Sequence, residues 1–158
     1  MNDMTTRPNS LPWPPIIYLA AISVSLLLNV FYPLPWFGQP LSGTLFVLGW
    51  LMIAAFVALN ISAIRAMRRV GTTVRPDRGT DHLVTDGPFS LTRNPLYVAG
   101  TMLVLGIGLV SGIVWFLLLA ILAAFTVQKL AMEREERHLQ ARFGETYLDY
   151  ARRVRRWT

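Results

Sequence analysis

The sequence contains no cysteine and only two histidines, His82 and His138, among its 158 residues. The absence of cysteine excludes disulfide bonds, thiolate metal sites and cysteine nucleophiles. Two histidines are too few for a multi-histidine metal site, so we expect no metal partner. The chain must rely on other residue types for any chemistry that it performs.

Charged residues are also scarce, at 15% of the chain, whereas soluble domains have about 25%. Two long stretches, residues 11–64 and 96–128, contain no Asp, Glu, Lys, Arg or His. A membrane-spanning helix needs about 20 mainly apolar residues, so each stretch has room for two. The sequence therefore predicts an all-α integral membrane protein with four transmembrane helices, a carboxy-terminal helical hairpin and a carboxy-terminal tail.

Proline and glycine divide the two uncharged stretches into helices. We expect helices over about residues 15–31, 42–67 and 95–110, and a fourth from about 113 to near 143. The whole chain, 1–158, is predicted to be one membrane domain. Residues 1–70 hold the first two helices, and residues 71–158 hold a loop, the second pair and the tail.

The basic residues indicate how the helices are oriented. Every Lys and Arg lies before residue 11, between 65 and 93, or after Gln128, and none lies in the connections 32–44 and 111–112. The positive-inside rule then places both termini in the cytoplasm, which four spans permit. The net charge of +6 is explained by anionic lipid headgroups rather than nucleic acid, because the basic residues flank apolar spans.

Arg93 is the first candidate functional residue. It lies just before Pro95, and proline is favoured in the first turn of a helix, so Arg93 should lie at the amino-terminal end of the third helix. Free backbone N–H groups at such an end favour an anion. The alternative is that Arg93 is one more topology charge, although the nearby Gly87 and Tyr97 favour a functional role.

A cluster of glutamates follows the second uncharged stretch. A continuous helix from 113 to about 142 would be about 45 Å long, which exceeds the roughly 30 Å of hydrocarbon, so its last turns should lie in the cytoplasm. Those turns carry Glu133, Glu135 and Glu136. Adjacent helical residues point about 100° apart, so we expect only one of Glu135 and Glu136 to line a pocket. The alternative is a solvated helix face.

Gly144 is expected to end this helix. The tail beyond it carries aromatic residues and arginines that resemble an interfacial belt: Tyr147, Tyr150, Arg152, Arg153, Arg155, Arg156 and Trp157. Two further interpretations are open for the same segment. It is either a lid over a site or an anchor on the membrane surface.

Four motifs occur in a fixed order: His82-Leu83-Val84-Thr85-x-Gly87-Pro88-Phe89, Arg93-Asn94-Pro95-x-Tyr97, Glu135-Glu136, and Phe143-Gly144-x-x-Tyr147-x-x-Tyr150. Their order and spacing resemble the isoprenylcysteine carboxyl methyltransferase and phospholipid methyltransferase superfamily. The resemblance covers about residues 80 to 157, half of the chain. The first two helices fit the small membrane-embedded architecture of that family but carry no signature.

The resemblance implies S-adenosylmethionine-dependent methyl transfer, with the cofactor bound at the cytoplasmic side and a lipophilic substrate entering from the bilayer. Arg93, Glu135 and Glu136 are the implied catalytic residues. The residues implied in cofactor binding are His82, Leu83, Val84, Gly87, Arg93, Pro95, Tyr97, Glu135 and Glu136. The cofactor carries a carboxylate, an ammonium and a sulfonium, for which arginine, acidic and aromatic groups are suitable partners.

The chain departs from the family pattern at two positions. The usual Arg-His-Pro is Arg93-Asn94-Pro95, so a possible general base is missing and a strict prenylcysteine specificity is not supported. The glycine expected two residues after Tyr97 is Ala99. The methyl acceptor stays open among a carboxylate, an amine, a thiol and a phenol on a hydrophobic molecule. The alternative function is a non-catalytic membrane scaffold or partner subunit.

Overall fold

A computed structural model describes residues 13–71 and 82–157 of the chain, and all regular structure in these two ranges is helical. The helices are α1 (Trp13–Phe31), α2 (Leu41–Arg69), α3 (Pro95–Ser111), α4 (Val114–Val127), α5 (Glu133–Phe143) and α6 (Glu145–Arg153). A short 3₁₀ turn (Gly87–Ser90) precedes α3, and a π turn (Gln128–Met132) joins α4 to α5. The prediction of an all-α fold is confirmed for the described residues.

Within residues 13–71 and 82–157, three helical runs are long and apolar enough to cross a membrane: Trp13–Phe31, Leu41–Arg69 and Val114–Phe143. Helix α3 is apolar but has only 17 residues, which is about 26 Å at 1.5 Å per residue. Large apolar side chains are exposed along α2, including Phe46, Trp50 and Leu51, as expected of a face that contacts lipid. The arrangement of four spans stays a prediction.

Helix α3 lies at the centre of the bundle. Helix α2 packs mainly against α3, while α1 packs against α4 and also contacts α3. The core between α1, α3 and α4 includes Val104, Phe116, Val127 and Met132, all of which are buried. Because α2 has little contact with α1 and α4, its position depends on the α2–α3 interface.

Two features of the glycines explain how α3 is packed. A Cβ on Gly106 would lie 2.9 Å from the carbonyl oxygen of Gly49, so these two glycines let the backbones of α2 and α3 approach closely. At the other end, Gly112 has a φ of +70°, and its N–H bonds to the carbonyl of Gly108. The left-handed conformation suits glycine and ends α3 in a tight turn before α4.

The segment after Gly144 was not predicted as a helix, but residues Glu145–Arg153 form α6. Gly144 does end α5, as expected. Tyr147 and Tyr150 are buried, so the interpretation of these residues as an interfacial belt is wrong; their rings instead face the inside of the protein. The residues that follow, 154–157, return to the start of α3 and form a segment that we call the strap.

Candidate active site

The predicted polar clusters meet at one cleft. It lies where the last turn of α2, the segment before α3, helix α5 and helix α6 come together. Its lining residues are Met67, Leu83, Val84, Phe89, Arg93, Asn94, Glu135, Glu136, Leu139, Tyr147 and Tyr150. The cleft volume is only about 50 Å³, smaller than the roughly 300–1,000 Å³ of most small-molecule sites. A nucleoside would require the cleft to widen.

Arg93 projects into this cleft from just before α3, and 15% of its side chain is exposed. Its Nη1 donates to the Tyr147 hydroxyl at 3.2 Å and lies 3.5 Å from Oε1 of Glu136. Its Nε is buried and has no hydrogen-bond partner among the described residues. Buried polar groups are nearly always hydrogen-bonded, so this N–H is available to an anionic or carbonyl ligand.

Glu136 is held by a second arginine, Arg156, from the strap. The Nε and Nη2 atoms of Arg156 donate to the two carboxylate oxygens of Glu136 at 2.8 and 2.7 Å. This is the bidentate geometry in which an arginine–carboxylate pair is strongest. The hydrogen bonds to Glu136 raise the pKa of Arg156 above its ordinary value, so the guanidinium stays charged.

Glu135 faces a different partner. The Tyr97 hydroxyl donates to Oε2 of Glu135 at 2.8 Å, which joins α5 to α3. Both Glu135 and Glu136 line the cleft, so the prediction that only one of them would do so is wrong. The two carboxylates have different partners, Tyr97 of α3 for Glu135 and Arg156 of the strap for Glu136, and both glutamates still contribute to the lining.

Two buried tyrosines of α6 form the far wall. Burial raises the pKa of Tyr147, and the nearby Glu136 carboxylate raises it further, against the opposing effect of Arg93. Burial likewise raises the pKa of Tyr150, whose hydroxyl donates to the carbonyl of Phe89 at 2.6 Å. Both phenols are therefore neutral at pH 7, and α6 is bound directly to the segment that precedes α3.

The strap is anchored to the start of α3 mainly through its backbone. The carbonyl of Arg155 accepts from the Arg93 N–H at 2.9 Å. The carbonyl of Arg156 accepts from the Thr92 hydroxyl at 2.9 Å and from the Asn94 side-chain amide at 3.2 Å. Asn94, which replaces the histidine of the family pattern, is thus buried and holds the strap in place.

The remaining predicted site residues are distributed around the cleft. Leu83 and Val84 line it. His82 is exposed and is not among the lining residues. Gly87 has a φ of +60° and begins the 3₁₀ turn, while Pro95 is buried in the first turn of α3. Neither Gly87 nor Pro95 lines the cleft; both shape the backbone around Arg93.

The sequence interpretation missed Arg156 as a site residue. In the sequence it is one of four arginines in the tail, and its neighbours Arg152, Arg153 and Arg155 are exposed. Trp157, the residue beside it, bonds to Gln128 at 2.8 Å, where the uncharged stretch ends. This contact is visible only in the structure, and nothing in the sequence separates Arg156 from the other three arginines. Among residues 13–71 and 82–157, no three His, Asp or Glu side chains come together as a possible metal site.

The chain is similar to two curated proteins. It is 41% identical over 78 residues to the nickel-cobalt-cadmium resistance protein NccN of Alcaligenes xylosoxydans xylosoxydans. It is 35% identical over 77 residues to the cobalt-zinc-cadmium resistance protein CzcN of Cupriavidus metallidurans. Each match covers 49% of this chain but only 36% and 35% of the respective relative. The chain thus spans about a third of the length of these relatives.

No solved structure matches the chain. The model of one protein family does match, and its description is phospholipid methyltransferase. The match extends over residues 44–146, which includes most of α2, all of α3, α4 and α5, and the segment that carries Arg93. It covers well over half of the sequence and agrees with the superfamily that the motifs indicate. The chain therefore belongs to the phospholipid methyltransferase family.

Proposed function

We propose that this protein is a membrane-embedded methyltransferase that uses S-adenosylmethionine to methylate a lipophilic acceptor. The observation that carries the proposal is the convergence of Arg93, Glu135 and Glu136 on one cleft, where Arg93 offers a buried N–H with no partner among the described residues. Family membership supports methyl transfer as the reaction class.

The residues of the cleft suit the charges of the cofactor. Arg93 is placed to bind a carboxylate through Nε, because its Nη1 is already held near Tyr147 and Glu136. Glu135 has a tyrosine as its hydrogen-bond partner and is available to an ammonium group. S-adenosylmethionine, when bound, would supply an electrophilic methyl group on its sulfonium. The protein would then contribute chiefly orientation, which is worth up to roughly 7–11 kcal/mol.

The acceptor is proposed to reach the cleft from the membrane. Apolar side chains form much of the lining, including Met67, Phe89 and Leu139, and Met67 belongs to a helix with an exposed apolar surface. Such a lining suits a hydrophobic molecule better than a polar metabolite. The class of nucleophile is not specified by these contacts and stays open among a carboxylate, an amine, a thiol and a phenol.

We also propose that the cleft and both termini lie on the cytoplasmic side. The cleft is at the end of the bundle that holds the basic residues Arg65, Arg68 and Arg69 of α2 and the three acidic residues of α5. The positive-inside rule assigns such an end to the cytoplasm. The metal-resistance names of the two relatives refer to those proteins, and we propose no metal-related function for this chain.

The test is calorimetric titration of the detergent-purified protein with S-adenosylmethionine and S-adenosylhomocysteine. The variants are Arg93→Ala and, as a control that removes the same charge from an exposed site at the same end, Arg65→Ala. Binding in the parent and Arg65→Ala, with at least about a tenfold loss in Arg93→Ala, would support the proposal, because hydrogen bonds to charged groups contribute about 1.5–3 kcal/mol. Circular dichroism checks that every variant is folded.

Two results would contradict the proposal. If Arg93→Ala binds as well as Arg65→Ala, the cleft is not the cofactor site. If the folded parent fails to bind in detergent and also in lipid nanodiscs, the alternative of a non-catalytic scaffold or partner subunit is favoured. A parent that binds justifies a screen of lipophilic acceptors of the four classes above.

A further inference from the structure

Arg156 has a role that neither the sequence motifs nor the family match assigns. We propose that Arg156 is a positioning residue: by binding both oxygens of Glu136, it prevents Glu136 from capturing Arg93 and so leaves Arg93 free to bind the cofactor. This inference rests on the proposed function, because it assumes that Arg93 binds the cofactor carboxylate.

The geometry of the three side chains carries the inference. Glu136 lies between two guanidinium groups, but it binds them unequally. Both of its oxygens accept short hydrogen bonds from Arg156, at 2.8 and 2.7 Å, whereas the nearest nitrogen of Arg93 is 3.5 Å away. At that distance the Arg93 contact is an ion pair without a good hydrogen bond.

The consequence appears on Arg93 itself. Its Nη1 donates to the neutral Tyr147 hydroxyl, and its Nε is buried in the cleft with no hydrogen-bond partner in the part of the chain that the structure describes. Without Arg156, Glu136 would be a partly buried carboxylate with Arg93 as the nearest positive charge. Such a carboxylate would take the bidentate geometry with Arg93, because leaving it unpaired is costly. The donor that the cofactor needs would then be occupied.

Hydrogen bonds of the strap backbone hold Arg156 in the position from which it binds Glu136. The carbonyl of Arg156 accepts from Thr92 and Asn94, the residues on each side of Arg93. The arginine that holds Glu136 is therefore tied to the same turn that presents Arg93. The asparagine at the family's histidine position contributes to this arrangement, which gives it a function that does not depend on acid–base chemistry.

The chain offers a matched control for the test. Arg155 is the preceding residue of the strap; its side chain is exposed, and its backbone carbonyl accepts from the Arg93 N–H. Arg155→Ala removes the same charge from the same segment and keeps that backbone contact. Arg156→Lys keeps the positive charge at position 156 but cannot form the bidentate pair of hydrogen bonds with Glu136.

The experiment measures the affinity of each purified, folded variant for S-adenosylhomocysteine by calorimetry. We expect Arg155→Ala to bind like the parent and Arg156→Ala to bind about tenfold more weakly, as for the loss of a charged hydrogen-bonded pair. Arg156→Lys should recover part of the affinity. In the Glu136→Gln background, the further change Arg156→Ala should have little effect, because a neutral amide does not compete for Arg93.

Four results would overturn the inference, and they are distinguishable. If Arg156→Ala does not differ from Arg155→Ala while the parent binds, the inference is wrong and the proposed function stays intact. If Arg156→Ala has an equal effect with Glu or Gln at position 136, it acts through the strap alone. A parent that does not bind would overturn the proposed function as well. If Glu136→Gln abolishes measurable binding, the comparison of Arg156→Lys with Arg156→Ala is the test. A higher affinity of Arg156→Lys for S-adenosylhomocysteine supports the inference, and an affinity equal to that of Arg156→Ala contradicts it.

Discussion

The close approach of α2 and α3 at Gly106 provides a quantitative test of the fold. In Gly106→Ala, the new Cβ would lie 2.8 Å from Cγ1 of Ile53 and 2.9 Å from the carbonyl oxygen of Gly49. Ordinary contacts of a Cβ begin at 3.4 Å, so the two backbones must separate by about half an ångström. The carbonyl belongs to a helix and cannot move alone. Overpacking of this kind typically costs about 1–3 kcal/mol.

The measurement is thermal unfolding in detergent, followed by tryptophan fluorescence and circular dichroism. For a chain of this size, a cost of 1 kcal/mol corresponds to roughly 2–4 °C, so we expect a decrease of about 2–12 °C. The matched control is Gly43→Ala in the first turn of α2, where the new Cβ meets only the flexible side chain of Gln39. This control should stay within about 0.5 kcal/mol of the parent.

Equal stability of Gly106→Ala and Gly43→Ala would refute the reasoning, because it would show that α2 and α3 are farther apart than described. A large decrease for Gly106→Ala has a second expected consequence. Met67 lines the cleft from the end of α2, and α2 also contacts the 3₁₀ turn. Displacement of α2 should therefore weaken binding of S-adenosylhomocysteine, although residue 106 is outside the cleft.

Two further predictions concern the tyrosines of the site. Tyr97→Phe removes the hydrogen bond to Glu135 and should destabilise the protein by about 1–3 kcal/mol. When Tyr97→Phe is made in a protein that already carries Glu135→Gln, the loss of stability should be smaller. A double-mutant cycle of melting temperatures measures the difference. The raised pKa of Tyr147 favours its neutral form in the folded state. Its stabilising contribution is thus complete below about pH 10 and is lost as the pH rises further, so the melting temperature should fall more steeply above about pH 10 for the parent than for Tyr147→Phe.

Much of the helical architecture is predictable because its signals are local. The uncharged stretches, Pro95 at the start of α3, the Ser111-Gly112 turn and Gly144 after α5 all determine the backbone in their own neighbourhood. Helix α6 was missed because it is short and rich in charge, and its stability depends on burying Tyr147 and Tyr150 against distant parts of the chain. The spacing of Tyr147 and Tyr150 fits one face of a helix, but it does not reveal which distant residues that face contacts.

The candidate site was predictable in its residue types but not in its pairing. Arg93 and the two glutamates were identified, and all three line the cleft. Arg156 was not, because Glu136 and Arg156 are 20 residues apart and meet only after α6 returns the strap to α3. An arginine in an ion pair and an arginine in water look identical in a sequence, so the fold of the tail had to be known first.

The π turn between α4 and α5 decides which sign of charge faces the cleft. Counting from Phe116 in steps of 3.6 residues reaches the buried Ala120, Ala123 and Val127, and the fifth step reaches position 134. A regular α-helix would thus direct Arg134 inward. The π turn takes up one additional residue, so Arg134 is exposed and Glu135 meets Tyr97 instead. The negative charge on the α5 side of the cleft thus depends on the rotation of α5 about its axis. A single extra residue in the π turn sets that rotation, so the presence of the glutamates alone does not determine it.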